Sequence, residues 1–252
     1  MSSKVRQLIS SVPALHLCAR QARRIGRLVT GRDTLYRYDS RPRKQRLGTV
    51  YGGWTIAPDV LRPEGIAWSF GVGNDISFDL ALIEEFGITV HGFDPSPAAV
   101  EFITGYSSLP SRYHFHPYGL GPLDGECTFF RPADSGMYSL VKGNPRRSSE
   151  GIRLAVKMLP TIMSDLGTPF IDVLKMDIEG AEYDQMDALV EYSGRIGQLL
   201  VEFHHRIGVA PLRKTVECVN RLRSGGFRLF HVSETSSEFS FLGSATAPDG
   251  RT

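Results

Sequence analysis

The sequence predicts an α/β protein built on a mostly parallel sheet with helices on both faces, and three observations predict it. Apolar runs break repeatedly into glycine or acid: at Gly71 and Gly73 after 65–70, at Asp94 after 88–93 and at Asp177 after 170–176. Buried parallel strands read this way where they hand the chain to a helix. Segments with helical spacing lie between these runs, so strand and helix alternate. The last two runs, 227–232 and 239–242, are separated only by a short polar turn and are expected to pair antiparallel.

In chain order, 65–70 is the first buried strand and 76–86 a helix stopped by Gly87. A second strand, 88–93, ends at Asp94, and Pro95-Ser96-Pro97 opens a helix through about Ile103, with proline tolerated in its first turn. A third strand covers 113–116. Residues 125–130 and 152–158 read as extra strands, and 132–150, rich in Ser, Gly, Pro and Arg, as a loop. A strand at 170–176, a helix at 181–192, a strand at 199–203 and a helix at 211–223 follow before the closing pair.

The length of 252 residues permits one large α/β domain or two small ones. Residues 1–46 hold twelve Lys or Arg against two acids, whereas the rest of the chain holds 17 against 25. The chain is therefore divided into a basic N-terminal extension of helix and linker, 1–64, and a folded domain, 65–252. Residues 5–29 suit a ragged amphipathic helix interrupted by Pro13. A solvated extension, a contact for anionic lipid or polyanion, and a targeting leader all remain open for it. No apolar run is long enough to span a membrane as a helix. The three cysteines are scattered without a C-x-x-C pair, which favours a reducing, cytoplasmic setting, with peripheral membrane contact through 1–46 left open. No zinc-finger spacing or RNA-binding strand signature points to nucleic acid.

The polar residues at the strand ends define a ligand site, since ligands of open α/β sheets bind beyond the carboxyl ends of the strands. Gly71 and Gly73 let the backbone turn tightly and approach a ligand. Asp94, ending the next strand, is placed to accept from the vicinal hydroxyls of an adenosine ribose. A dinucleotide loop would want a glycine where this chain has Ile76, and Asp75 would repel a pyrophosphate. A cationic sulfonium tolerates that acid, so the details favour S-adenosylmethionine over a nicotinamide dinucleotide.

The order of Ser69-Phe-Gly-Val-Gly-Asn-Asp75, Gly92-Phe-Asp-Pro-Ser96, Tyr118-Gly-Leu-Gly121 with Asp124-Gly-Glu126, Val173-Leu-Lys-Met-Asp-Ile-Glu-Gly-Ala-Glu182 and Leu200-Val-Glu-Phe-His204 resembles the FkbM-type methyltransferases over about 65–245. The resemblance implies the seven-stranded class I (Rossmann-like) methyltransferase fold. It also implies S-adenosylmethionine as cofactor, and O-methylation of a sugar, glycolipid or secondary metabolite. It carries cofactor contacts onto Ser69, Gly71, Gly73, Asn74, Asp75, Asp94, Pro95, Gly119, Leu120 and Asp177. Ser69 departs from the acid that many class I enzymes hold there, although a hydroxyl can still hold an amine.

Asp177 should close the strand beside the first and so face the transferred methyl. Glu202 and His204, two apart, share one face and are the candidate carboxylate-histidine pair for deprotonating a hydroxyl. These three are the candidate catalytic residues. They could also chelate a divalent ion, but no metal is expected. Glu179 and Glu182 serve equally well as acids stabilising a helix N-terminus. His205 should point away, and His114 and His116 are read as structural. The loop 132–150, with Met137, Tyr138, Arg146 and Arg147, is the candidate lid. Two rivals stay open: a nicotinamide-linked oxidoreductase, and a non-catalytic binding module working through 1–46.

Overall fold

The computed structural model describes residues 26–132, 147–205 and 210–246. Twelve strands are present among them: β1 Gln45–Leu47, β2 Trp54–Ile56, β3 Ile66–Phe70, β4 Thr89–Phe93, β5 Tyr113–His116, β6 Gly119–Leu120, β7 Gly125–Pro132, β8 Arg147–Lys157, β9 Ile171–Met176, β10 Ile196–Glu202, β11 Arg228–Val232 and β12 Glu238–Leu242. The α-helices are α1 Ser77–Phe86, α2 Pro97–Thr104, α3 Leu159–Asp165, α4 Met186–Glu191 and α5 Leu212–Ser224.

Seven strands form the central sheet in the order β11-β12-β10-β9-β3-β4-β5. β10, β9, β3, β4 and β5 run parallel, and β12 pairs antiparallel with both β10 and β11. This is the class I methyltransferase sheet that the sequence leads one to expect. Because side chains alternate along each strand, the two faces build separate cores. Trp68, Phe70, Phe93, Leu174, Met176, Leu199 and Val201 pack against α3, α4 and α5. Ala67, Val90, Val173 and Leu200 pack against α1, α2 and the β1–β2 ribbon. β6, β7 and β8 form a small second sheet.

The sequence marks the helix ends well. Gly87 closes α1 in the left-handed region, with its N–H donating to Ile83 O. Ser96 caps α2, accepting from Ala99 N at 3.3 Å ahead of Pro97. In α5, Thr215, Cys218, Val219 and Leu222 form the buried stripe, at helical spacing.

Four details differ from expectation. The helix expected over 181–192 is broken into a 3-10 turn, Ala181–Asp184, and the short α4. The Glu182 side chain reaches back to accept from Gly180 N at 2.7 Å, which tightens the first turn. α3 is an added helix, and Asp124 caps it by accepting from Met158 N and Thr161 Oγ1, both at 2.8 Å. Residues 147–150 of the expected loop belong to β8. Pro132 ends β7, and the rest of that loop, 133–146 with Met137, Tyr138 and Arg146, lies outside the described residues.

The fourth difference concerns the segment read as linker. β1, β2 and the residues after them pack onto the sheet, burying Leu47, Trp54, Ile56 and Ala57. The Gln198 amide clamps Ala57, accepting from its N–H at 2.7 Å and donating to its carbonyl at 3.0 Å. Farther out, Asp39 Oδ2 accepts from Leu229 N at 3.0 Å, and Tyr36 packs edge-on against Phe239. Apolar positions 54, 56 and 57 carry too few residues to read as strands, and the partner they cover is supplied by β10 and β12. Much of the early chain therefore belongs to the folded body.

Candidate active site

The carboxyl ends of β3, β4, β9 and β10 meet at one hollow. Gly71 (φ 83°) and Gly73 (φ 56°) both turn in the left-handed region, which glycine adopts without penalty. The bend is tied to the strands on either side: Gly71 N donates to Phe93 O, and Asp177 N donates to Phe70 O, each at 3.0 Å. A Cβ on Gly71 would stand 1.8 Å from the Asp177 carbonyl oxygen. The bend and the start of the loop after β9 are therefore in backbone contact. Over Gly73, by contrast, a Cβ would meet nothing within 4 Å, so the bend offers bare backbone to open space. That is what a ligand approaching the main chain requires.

Asp94, 8% exposed, accepts from Gly73 N at 3.0 Å through one oxygen and from Ser96 N at 2.8 Å through the other. It braces the bend, and each oxygen keeps a second lone pair for a ligand hydroxyl. Pro95 touches Gly119, where a Cβ would lie 3.2 Å from the proline ring, so the loop after β4 and the buried β6 residues Gly119 and Leu120 line one edge. Asn74 is exposed beside the bend. Asp75 is committed elsewhere: its oxygens accept from Thr49 Oγ1 at 2.6 Å and Ser77 N at 2.8 Å, fastening the loop between β1 and β2 to the start of α1.

Beneath the bend lies a polar layer that sequence reasoning missed. Lys175, buried in β9, donates from Nζ to Gly71 O at 2.5 Å. Its signal was available as the one cation in β9, where the other residues save Asp172 are apolar. Ser69 is its register neighbour on β3, and Asp79 of α1 is 2% exposed. Burial pushes the Asp79 carboxyl up to about 6, against the opposing pull of Lys175. Asp79 Oδ1, Ser69 Oγ and Tyr113 OH have no hydrogen-bond partner among the described residues. Ser69 is thus below the bend rather than on its open side.

On the other side of Gly71 the carboxylates converge on His204. Its Nδ1 lies 3.0 Å from Glu182 Oε1, which also accepts from His204 N at 2.9 Å. A carboxylate only accepts, so Nδ1 carries the proton and Nε2 faces the hollow. There Nε2 stands 3.5 Å from Asp177 Oδ1 and 3.8 Å from Glu179 Oε2. Burial alone would lower the imidazole, but Glu182, Asp177 and Glu179 outweigh it and carry it up to about 10. Glu182 is fully buried, so its part is to hold the ring, and it, not Glu202, is the histidine's hydrogen-bonded carboxylate. Glu179 takes a left-handed φ of 53°, costly for a residue with a Cβ.

Glu202 ends β10 beside this group. Burial first, and then Asp177, push its carboxyl up to about 7. It lies directly opposite Glu238 across the β10–β12 pair, and burial raises Glu238 too. The phenol of Tyr51, from the β1–β2 loop, is raised by burial and by Asp177, Glu179, Glu202 and Asp75. Tyr51 is largely exposed, yet its phenol feels the field of these acids, and nothing in its local sequence signals that. His205 turns inward, its Nδ1 3.2 Å from Thr215 Oγ1. His91, His114 and His116 stack together on β4 and β5, with His91 Nδ1 2.9 Å from His116 Nε2.

The methyltransferase FkbM domain matches residues 57–229. The chain belongs to the FkbM methyltransferase family. Membership favours S-adenosylmethionine over a nicotinamide dinucleotide at the bend. A comparison with curated proteins finds no match. The chain is similar to a number of solved structures, three of which follow. The fibrillarin pre-rRNA processing protein of Methanococcus jannaschii is 12% identical with a TM-score of 0.43, over 74% of this chain and 69% of its own. A methyltransferase from Pyrococcus furiosus is 13% identical with a TM-score of 0.38, over 89% and 97%. The aminoglycoside resistance methyltransferase NpmB1 is 11% identical with a TM-score of 0.40, over 79% and 98%. The FkbM match begins inside the clamped segment at Ala57 and ends before β12. Among the described residues no helix is long and apolar enough to cross a membrane.

Proposed function

We propose that this FkbM protein transfers a methyl group from S-adenosylmethionine to a hydroxyl of a small molecule or glycan. The observation that carries the reading is the seam between Gly71 and Asp177. It places an open glycine bend, braced by Asp94, in backbone contact with the loop that carries the acids around His204. Asp94 and the edge of Pro95, Gly119 and Leu120 would hold the adenosyl part, and the acids beyond the seam complement a sulfonium. When bound, the cofactor supplies an already activated methyl, so alignment and exclusion of water are the protein's main tasks.

Each side chain of the hollow then has a distinct part. His204 is fixed by Glu182 through Nδ1, and its Nε2 lies between Asp177 and Glu179. Glu202 is the remaining carboxylate at the strand end, placed to accept the hydroxyl proton as the oxygen becomes nucleophilic. Tyr51 covers the acids from the ribbon side.

Titration calorimetry with S-adenosylmethionine and with a nicotinamide dinucleotide, followed by mass spectrometry of extracts given labelled methyl donor, tests this. The expected result is binding of the first ligand only, with label in a hydroxyl-bearing product. Glu202→Gln should retain cofactor affinity and lose about 10² to 10⁴ in rate. A wild-type chain that binds no S-adenosylmethionine would end the proposal.

A further inference from the structure

We propose that Asp177, Glu179 and His204 bind one divalent cation of the Mn²⁺ and Zn²⁺ class at the mouth of the hollow. Each offers one donor atom, and the three atoms lie within 4.8 Å of one another. The spacings themselves point to a shared ion. Nε2 is 3.5 Å and 3.8 Å from the two carboxylate oxygens, beyond the usual 2.7–3.2 Å of an N–H···O bond. Donors about 2.1 Å from a common ion stand about 3.0 Å apart at right angles and about 3.4 Å apart at tetrahedral angles. Nε2 already stands at about that distance from Asp177, and the two carboxylate oxygens, within 4.8 Å of each other, close toward the ion as it binds.

The histidine is also prepared as a ligand. A metal-bound imidazole characteristically donates its other N–H to a carboxylate, which fixes the tautomer and aims the lone pair. Glu182 does this for His204 at 3.0 Å, and is itself fixed by Gly180 N and His204 N. Nε2 is thereby directed at the two acids, which hold a proton on it in the ion-free protein, and an ion binding there displaces that proton. Imidazole with two carboxylates is a mixed nitrogen and oxygen set, which suits Mn²⁺ or Zn²⁺ better than the all-oxygen surroundings that Ca²⁺ takes.

A separate observation comes from the next strand pair. Glu202 and Glu238 sit directly opposite each other on β10 and β12, an arrangement that repels. Arg46 approaches Glu238 only to 3.9 Å. Glu202 and Glu238 are therefore an unfavourable pair beside the three donors, and a doubly charged ion nearby relieves their repulsion. Three protein donors leave coordination positions open toward the hollow, the arrangement of a reactive rather than a structural metal site. The ion's purpose, holding the acceptor oxygen beside Glu202, rests on the proposed methyl transfer; the site itself does not.

The test is a titration of the full chain, stripped with EDTA, with Mn²⁺ alone, followed by calorimetry and by the loss of the free-ion electron paramagnetic resonance signal. One Mn²⁺ per chain is expected. Asp177→Asn and Glu179→Gln should each weaken it at least tenfold, and Glu182→Gln by about 10- to 100-fold through the ring it orients. Glu126→Gln, an exposed acid on the second sheet, should leave it unchanged, and thermal melts of each variant show that it is folded. No saturable binding at millimolar Mn²⁺ would overturn the proposal, as would binding that Asp177→Asn and Glu179→Gln leave intact. A chain that binds Mn²⁺ but no S-adenosylmethionine keeps this site and removes the methyl transfer. A chain that transfers methyl at full rate after EDTA treatment, with no Mn²⁺ binding, does the reverse.

Discussion

Substituting alanine at the two glycines of the bend separates what holds the bend in place from what the bend holds. At Gly71 a Cβ would lie 1.8 Å from the Asp177 carbonyl oxygen, where real contacts keep at least about 3 Å, and neither partner is the end of a flexible side chain. The bend must therefore move by about 1 Å or more, out of reach of Lys175 Nζ and Phe93 O. The positive φ adds about 1–2 kcal/mol and the forced packing about 1–3 kcal/mol. Together, Gly71→Ala should cost about 2–5 kcal/mol, and each kcal/mol lowers the melting temperature of a chain this size by about 2–4 °C. At Gly73 the φ is also positive, but a Cβ meets nothing within 4 Å. Gly73→Ala should thus cost only about 1–2 kcal/mol, while its methyl projects into the space assigned to the cofactor. Thermal melts and S-adenosylmethionine calorimetry on both variants read the two effects separately. The expected pattern is a large drop in melting temperature for Gly71→Ala, and a small drop with at least tenfold weaker cofactor binding for Gly73→Ala. If Gly73→Ala binds the cofactor as the wild type does, the bend is not its seat.

Asp94→Ala removes the acceptor of Gly73 N and Ser96 N and should weaken cofactor binding at least tenfold by calorimetry; unchanged affinity would contradict its role. Lys175→Met leaves Gly71 O without its charged donor, a bond worth about 1.5–3 kcal/mol, and should lower the unfolding free energy by that amount in urea denaturation. Asp79, whose carboxyl burial pushes up to about 6 in the folded chain from an ordinary 3.8, binds its proton more tightly folded than unfolded. Its contribution is therefore fully favourable below about 4 and is lost as pH rises toward about 6. Asp79→Asn should flatten stability across that window and raise it at neutral pH by up to about 3 kcal/mol, measured by urea denaturation from pH 4 to 8. A variant less stable than wild type at pH 7 would show that the charged form is needed.

Much of this was legible because strand ends in a parallel sheet write themselves as apolar runs stopped by glycine or acid. Gly71, Gly73, Asp94 and Asp177 each mark such an end, and the structure sets Gly71 against Asp177 and ties Gly73 to Asp94. Local chemistry failed where the decisive partner is distant in sequence. Glu182 reads as an ordinary acid at a helix start, yet its oxygens are taken by Gly180 and by His204, 22 residues on. Trp54 to Ala57 read as linker because their partners, Gln198 and Ser240, belong to strands far along the chain. Tyr51 comes under the field of these acids because Asp75 fastens its loop to α1. The pairing of Glu202 with His204 followed from correct face geometry, but face geometry cannot say which neighbouring element supplies the hydrogen bond.

β12 has a consequence for how the chain is made. It is the last strand in sequence, yet it slots between β10 and β11, and β11 is already synthesised by then without a partner. Until the ribosome has passed Leu242, two strand edges stand exposed and the interior around Phe239 and Phe241 is unfilled. A nascent chain halted just short of that point would carry the whole stretch 57–229 that matches the family and still be unable to close its sheet, so closure waits on β12.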